Sequence, residues 1–316
     1  EKFFNSKENA EIILVESTPR IGGIIETEQK DGFIFEKGPD SFFNSKPNVL
    51  SLCEDLQIEN RIIGTNPDYR RSFILQGENL IPVPKGFYLM SPIAIGPFFG
   101  SPLISVFGKI RMMLDLVLPR RNEYEDESLY DFVVRRFGYE AFEKIAQPMI
   151  GGIYSADPKE LSLKATMPQF LELEEKYRSV ILGLRKTMIR KDDDTDETSN
   201  TSGARYGLFA SFDKGMEVLT DSIKDKFSSV DLRLNSEVTS IAKKQEGWTV
   251  EINGNEILNV DTVCLTAINP KISQLIQNVS PKFSSFFNKL DFGSLATINF
   301  VFNKEHIKHP LDGIGF

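Results

Sequence analysis

The chain has 316 residues and a net charge of −8, a balance that excludes a nucleic-acid binder working by phosphate neutralisation. Apolar residues make up 41% and charged residues 26%, enough for a large core and about two domains of roughly 150 residues each. Two isolated cysteines, Cys53 and Cys264, exclude a disulfide framework or a structural zinc site and point to a reducing compartment, the cytoplasm.

The chain opens on EKFFNSKENAE, which reads as the tail of a helix running into a polar loop. An apolar strand at Ile12–Val15 follows and ends on one carboxylate, Glu16. An acid at the carboxyl end of a buried strand is how a nucleotide-binding domain accepts hydrogen bonds from a ribose. Its companion, a G-x-G-x-x-G turn, belongs roughly 20 residues upstream. Here the first glycine of any kind is Gly22, so the expectation is a fragment whose first β-α unit precedes Glu1. In STPRIGG, Arg20 offers a cation for a diphosphate, while Gly22 and Gly23 let the backbone approach a large flat ligand.

IIETEQKDGFIFEKGPDSF alternates as a hairpin with Asp31-Gly32 as its turn. KPNVLSLCEDLQI repeats at helical spacing, and RRSFIL and LIPVP read as short strands. Between Lys85 and Lys109 there is no charge, but Pro92, Pro97 and Pro102 prevent a regular spanning helix. The expectation is an apolar loop and short helices lining a pocket or touching a bilayer, with Lys85, Lys109 and Arg111 at the polar margin. Core packing of a helical insertion is the competing reading.

Ser128 and Asp131 form a capping box for a helix that stops on Gly138. A second helix is predicted to break near Pro148, and a third to run from Met167 to about Met188. RKDDDTDETSNTSGA is a polar surface excursion without calcium-loop spacing. From Gly207 onward, GMEVLTDSIKDKF is an amphipathic helix, followed by strand-like VDLRL, EVTSIAKK, GWTVEI, DTVCLTA and LATINFVFN. His306 and His309 lack a third ligand and read as a solvated pair, not a metal site. The order fits an α/β nucleotide-binding domain interrupted by a largely helical insertion.

In FEKGPDSF, Gly38 and Pro39 shape a turn, and Asp40 and Ser41 offer polar groups to a ring or substrate. Following the Glu16 motif at this spacing, it resembles the flavin-binding segments of the amine-oxidase-like FAD superfamily. A narrower resemblance lies in PMIGGIYSADPKELSL, followed by MPQFLELEEKYRSVILGL, GMEVLTDSI, LRLNSEVTSI and CLTAINP. These runs resemble the protoporphyrinogen/coproporphyrinogen oxidases of the haem pathway over essentially the whole chain.

The resemblance implies a Rossmann-like FAD-binding domain at 1–65 and 206–270, interrupted at 66–205 by a largely helical, substrate- and membrane-associated insertion. A mixed-sheet substrate domain, incomplete at its C-terminal end, would occupy 271–316. The implied reaction is oxygen-dependent oxidation of a porphyrinogen to the porphyrin in three two-electron steps. Glu16 and Ser17 would meet the ribose, Arg20, Gly22, Gly23 and Ile24 the diphosphate and flavin, and Gly38, Pro39, Asp40 and Ser41 the flavin-facing passage. Val238 matches the backbone position at the adenine.

On the substrate side the resemblance gives Arg71 as partner of a propionate, with Arg70 as the neighbouring candidate. It also gives Gly152, whose main-chain carbonyl would approach the methylene bridge, and Asp40. No side chain is compelled as a catalytic base. The partners implied are a porphyrinogen, molecular oxygen and a membrane surface, with a homodimer also allowed. The location is the cytoplasm, at its membrane, or an organellar membrane in a eukaryote. The rivals are an amine oxidase or carotenoid desaturase, which the stretch from Gly151 to Leu163 disfavours, and a non-catalytic flavin-fold binding protein.

Overall fold

A computed structural model of the protein describes residues 10–43, 47–69, 71–121, 125–154, 156–188, 209–290 and 293–316. The polar excursion around 191–205 and Arg70 lie outside the described residues. The chain divides into two compact units.

The first unit is drawn from the spans Glu1–Phe42, Lys46–Ile63 and Ser211–Asn299. Ile12–Val15 pairs in parallel with Val230–Arg233, in register from Ile12↔Val230 to Val15↔Arg233. A parallel pair needs a long crossover, and here more than two hundred residues of chain intervene between its strands. The hairpin Thr27–Lys30/Phe33–Glu36 turns on Asp31 and Gly32, with φ of 53° and 82°. Two left-handed residues give the turn the twist that antiparallel strands need, so the Asp-Gly reading holds.

Val238–Lys243, Trp248–Ile252 and Glu256–Val260 form an antiparallel meander in that order. Its inner face supplies Ile241, Val250 and Ile252 to a core shared with Leu275 and flanked by Val15 and Val238. A second cluster joins Cys53, Ile58, Phe212, Met216 and Val218. DTVCLTA and LATINFVFN are not assigned as strands. Leu295, Ile298, Phe300 and Phe302 are exposed, and apolar alternation without a pairing strand does not make a sheet.

The second unit is drawn from Phe43–Ser45, Gly64–Ala210 and Phe300–Phe316. Strands Phe73–Gln76 and Asn79–Pro82 form the expected hairpin. Helix Leu129–Phe137 begins with Ser128 accepting from the Asp131 amide at 3.0 Å and ends at Gly138, φ 93°. Two helical expectations need correction. The helix is not broken at Pro148: helical residues run from Tyr139 to Tyr154 through a π-helical stretch, Phe142–Ala146. Widening the turn there relieves the clash between a proline ring and the carbonyl four residues earlier. The segment from Met167 onward is two helices, Pro168–Tyr177 and Val180–Met188, separated by Arg178 in the left-handed region, φ 64°.

The uncharged stretch mostly feeds the core of this unit: Phe87, Met90, Phe98, Leu103 and Ile104 are buried. Among the described residues no helix is long and apolar enough to cross a membrane. Lys109 does not lie at a polar margin. It is buried, with Nζ donating to the Phe99 and Ser101 carbonyls at 2.8 and 2.6 Å. Arg111 likewise turns inward and caps the end of helix Leu129–Phe137 by donating to the Val134, Arg135 and Arg136 carbonyls. What faces solvent is Phe99 and a ridge of Val106, Phe107, Ile110, Leu114 and Val117.

Candidate cofactor and substrate site

In the first unit, the end of the parallel pair brings together Glu16, Ser17 and the start of the strand that carries Val238. The Glu16 amide extends the ladder to the Arg233 carbonyl at 2.9 Å, and the Ser236 amide returns to the Glu16 carbonyl at 2.9 Å. This places the start of strand Val238–Lys243 beside the acid, with Val15 and Val238 sharing one apolar cluster. Glu16 Oε1 accepts from the Thr18 amide at 2.7 Å and from the Ser17 hydroxyl at 3.3 Å. Burial pushes this carboxyl up, but the Thr18 and Ser17 hydrogen bonds and the Arg20 charge outweigh it. Its pKa is lowered on balance, so it is an ionised acceptor at neutral pH.

Gly22 and Gly23 both have positive φ, 103° and 57°. A Cβ at Gly22 would press on the Ile25 carbonyl and the Thr220 side chain at 3.1 Å, whereas one at Gly23 would meet nothing within 4 Å. Ile24 beside it is 78% exposed. Gly38 passes so close to the Ile24 carbonyl that a Cβ there would overlap it. The structure thus brings Ile24 and Gly38 together. Asp40 is exposed and accepts from the Ser41 hydroxyl at 2.8 Å, next to half-buried Pro39.

Arg20 does not present its guanidinium outward. It donates to the carbonyls of Ile21, Gly23 and Ile25 at 3.2, 2.6 and 2.9 Å and to Glu26 Oε2 at 2.7 Å. Lys37 Nζ holds the other Glu26 oxygen at 2.9 Å. Arg20 is therefore a buckle across the glycine turn, and Glu26 and Lys37 anchor it to the hairpin. Lys37 first, then Arg20, hold the Glu26 carboxyl below its usual range despite partial desolvation. The sequence reading missed Glu26 and Lys37, although a carboxylate six residues after Arg20, at the foot of a hairpin, was a usable signal.

Arg71 and Gly152 belong to the second unit. Gly152 lies within helix Gln147–Tyr154. Arg71 is exposed, and its Nη1 donates to Asp312 Oδ2 at 2.8 Å. A partner 241 residues away left no sequence signal.

The family description "flavin containing amine oxidoreductase" matches residues 6–315, so the chain belongs to that family. Coproporphyrinogen III oxidase of Bacillus subtilis is 32% identical over 97% of this chain and 63% of its own length. Protoporphyrinogen oxidase 2 of Arabidopsis thaliana, chloroplastic/mitochondrial, is 26% identical over 96% of this chain and 62% of its own. A crystal structure from Exiguobacterium sp. 255-15, provisionally named a protoporphyrinogen oxidase, superposes with a TM-score of 0.73 at 26% identity. That superposition covers 85% of this chain and 56% of the Exiguobacterium chain. The chain thus spans less than two thirds of the length of these relatives.

Proposed function

We propose that the protein is an FAD-dependent oxidase that converts a porphyrinogen, coproporphyrinogen III or protoporphyrinogen IX, to the porphyrin. One observation carries the cofactor half: an ionised acid meets the start of Val238–Lys243 at one end of a parallel strand pair, and a left-handed glycine pair follows it along the chain. The residues fit a dinucleotide. Glu16 accepts from ribose hydroxyls, the open side of Gly23 and the bare Ile24 face admit a flat ring, and Gly38 to Ser41 line its passage. When bound, FAD supplies the hydride acceptor that no side chain can provide, with oxygen as the final acceptor.

The names of the relatives support the substrate. The chain's own part is to hold, orient and keep water from a macrocycle bearing carboxylates at its rim. Arg71 is suited to such a carboxylate because it is exposed and only singly paired. Gly152 presents a backbone without Cβ to the ring. Such a macrocycle is apolar on its faces and charged only at its rim, a shape that suits a lipid surface. The ridge Val106, Phe107, Ile110, Leu114 and Val117 is the face we assign to a peripheral bilayer contact, at the cytoplasmic membrane or an organellar one.

The test is oxidation of coproporphyrinogen III and protoporphyrinogen IX by the purified, FAD-loaded protein, read as porphyrin fluorescence with oxygen uptake. Turnover of a primary amine with neither porphyrinogen oxidised would favour the amine-oxidase reading. For the membrane face, Phe107→Glu with Ile110→Glu should abolish flotation with liposomes while flavin content is kept; unchanged flotation removes that assignment.

A further inference from the structure

We propose that Asp312 is a positioning residue for substrate: it aims Arg71 so that one edge of the guanidinium stays free for a carboxylate of the macrocycle. The inference rests on the reading of Arg71 as a propionate partner.

Asp312 Oδ2 accepts from Nη1 alone, at 2.8 Å, and among the described residues no other group bonds to the guanidinium. Nε and Nη2 therefore remain as the fork that receives a second carboxylate through two parallel hydrogen bonds. With 55% of the Arg71 side chain exposed, an isolated ion pair of this type adds little to stability. The local backbone is nonetheless arranged to deliver it. The Ile314 amide donates to the Arg71 carbonyl at 2.7 Å, and the Phe73 amide donates to the Gly315 carbonyl at 2.9 Å. Ser72 and Gly315 form a parallel bridge.

The segment carrying Asp312 thus lies along the chain that carries Arg71. Gly313 permits this approach, since a Cβ there would strike the Phe73 ring and come within 2.7 Å of the Arg71 carbonyl. On the other flank, Leu311 takes φ of 56°, its amide donates to His309 Nδ1 at 3.0 Å, and the His309 ring packs edge-on against Phe73 at 5.3 Å. Both sides of Asp312 are pinned to the Arg71–Phe73 segment, so the direction of its carboxylate is fixed. The carboxylate holds the guanidinium by a charge-assisted bond, so an acid at position 312 is what keeps the free fork aimed.

The experiment is a fluorescence titration of coproporphyrin III into the flavin-loaded protein and its Arg71→Ala, Asp312→Asn, Asp312→Glu and Arg71→Ala/Asp312→Asn variants. Arg71→Ala should raise Kd by about tenfold or more, the loss of a charge-assisted pair. Asp312→Asn should raise it roughly three- to tenfold, the size of a coupling between contacting groups, and should add nothing in the Arg71→Ala background. Asp312→Glu, which keeps the charge, should stay near the parent. Flavin content should be the same throughout. If Asp312→Asn binds as tightly as the parent, matches Asp312→Glu, or weakens the Arg71→Ala protein further, the positioning role is overturned while Arg71 stands. If Arg71→Ala itself leaves Kd unchanged, the propionate reading of Arg71 fails, and this inference falls with it.

Discussion

In the second unit, Arg136 and Asp115 are both fully buried, with Arg136 Nε donating to Asp115 Oδ1 at 2.6 Å. In the first unit, Arg20 reaches Glu26 at 2.7 Å from a turn where each side chain keeps about a third of its surface exposed, 33% and 35%. The buried arginine has every donor accounted for: Pro119, Asp115 and Arg178 supply carbonyls, and Glu174 a further carboxylate. Asp115 in turn accepts from the Ser179 hydroxyl and the Ile181 amide. Charges taken out of water must be paired this completely, and breaking such a set costs far more than forming it gains. The exposed pair works in water, where a salt bridge contributes little to stability. What Arg20 fixes is the shape of a turn. The same arginine–carboxylate pairing therefore ties the chain together in one unit and holds the shape of a turn in the other.

The largest effect expected from this contrast is at Arg136. Arg136→Met fills much of the same volume but leaves Asp115 buried without its partner, and should cost about 3–5 kcal/mol in denaturant unfolding. A loss as small as that from Arg20→Met would erase the distinction between the two regions. Gly38→Ala comes next. Its Cβ would meet a main-chain carbonyl, which cannot swing aside as a side chain can, so a loss of about 1–3 kcal/mol and of flavin retention is expected. Wild-type flavin content in that variant would show that the passage is looser than the structure shows.

A pH dependence follows from Glu174. Burial raises its carboxyl, but Arg135 foremost, with Arg136 and the Arg121 amide, pull it below the usual glutamate range. A lowered folded-state pKa means stability that is complete above the unfolded carboxyl value and is lost as pH falls through the folded one. Acid unfolding should therefore set in below about pH 4.5, and Glu174→Gln should flatten that limb of the curve. The smallest effect is at Glu26. Glu26→Gln should leave the unfolding midpoint almost unmoved while weakening FAD retention severalfold, because the Arg20 buckle loses its anchor. Equal shifts in both would make Glu26 a plain stability residue.

Much of this was legible in the sequence because the signals were local. A β-branched run ending on an acid, an Asp-Gly turn, a Ser-x-x-Asp cap and a terminal glycine each act within a few residues of themselves. The π-helical stretch before Pro148 and the break at Arg178 were not legible, since an arginine in the left-handed region carries no compositional mark. Lys109 and Arg111 misled because charge at a segment boundary suggests a solvated margin, whereas carbonyl acceptors 8 to 25 residues away pull both inward. Candidate residues on adjacent chain could be named from the sequence, whereas the Arg71–Asp312 pair, with partners 241 residues apart, could not.

In the proposed reaction a porphyrinogen delivers its electrons to a flavin held beside Glu16 and the glycine turn. This transfer is tested most directly by mixing the FAD-loaded protein with coproporphyrinogen III without oxygen. The expected result is that the yellow flavin band bleaches as a single two-electron step fills the flavin, and that the band returns and porphyrin fluorescence appears only when oxygen is admitted and the remaining two steps can follow. A band that persists with both porphyrinogens, while a primary amine bleaches it, would make the protein an amine oxidase instead.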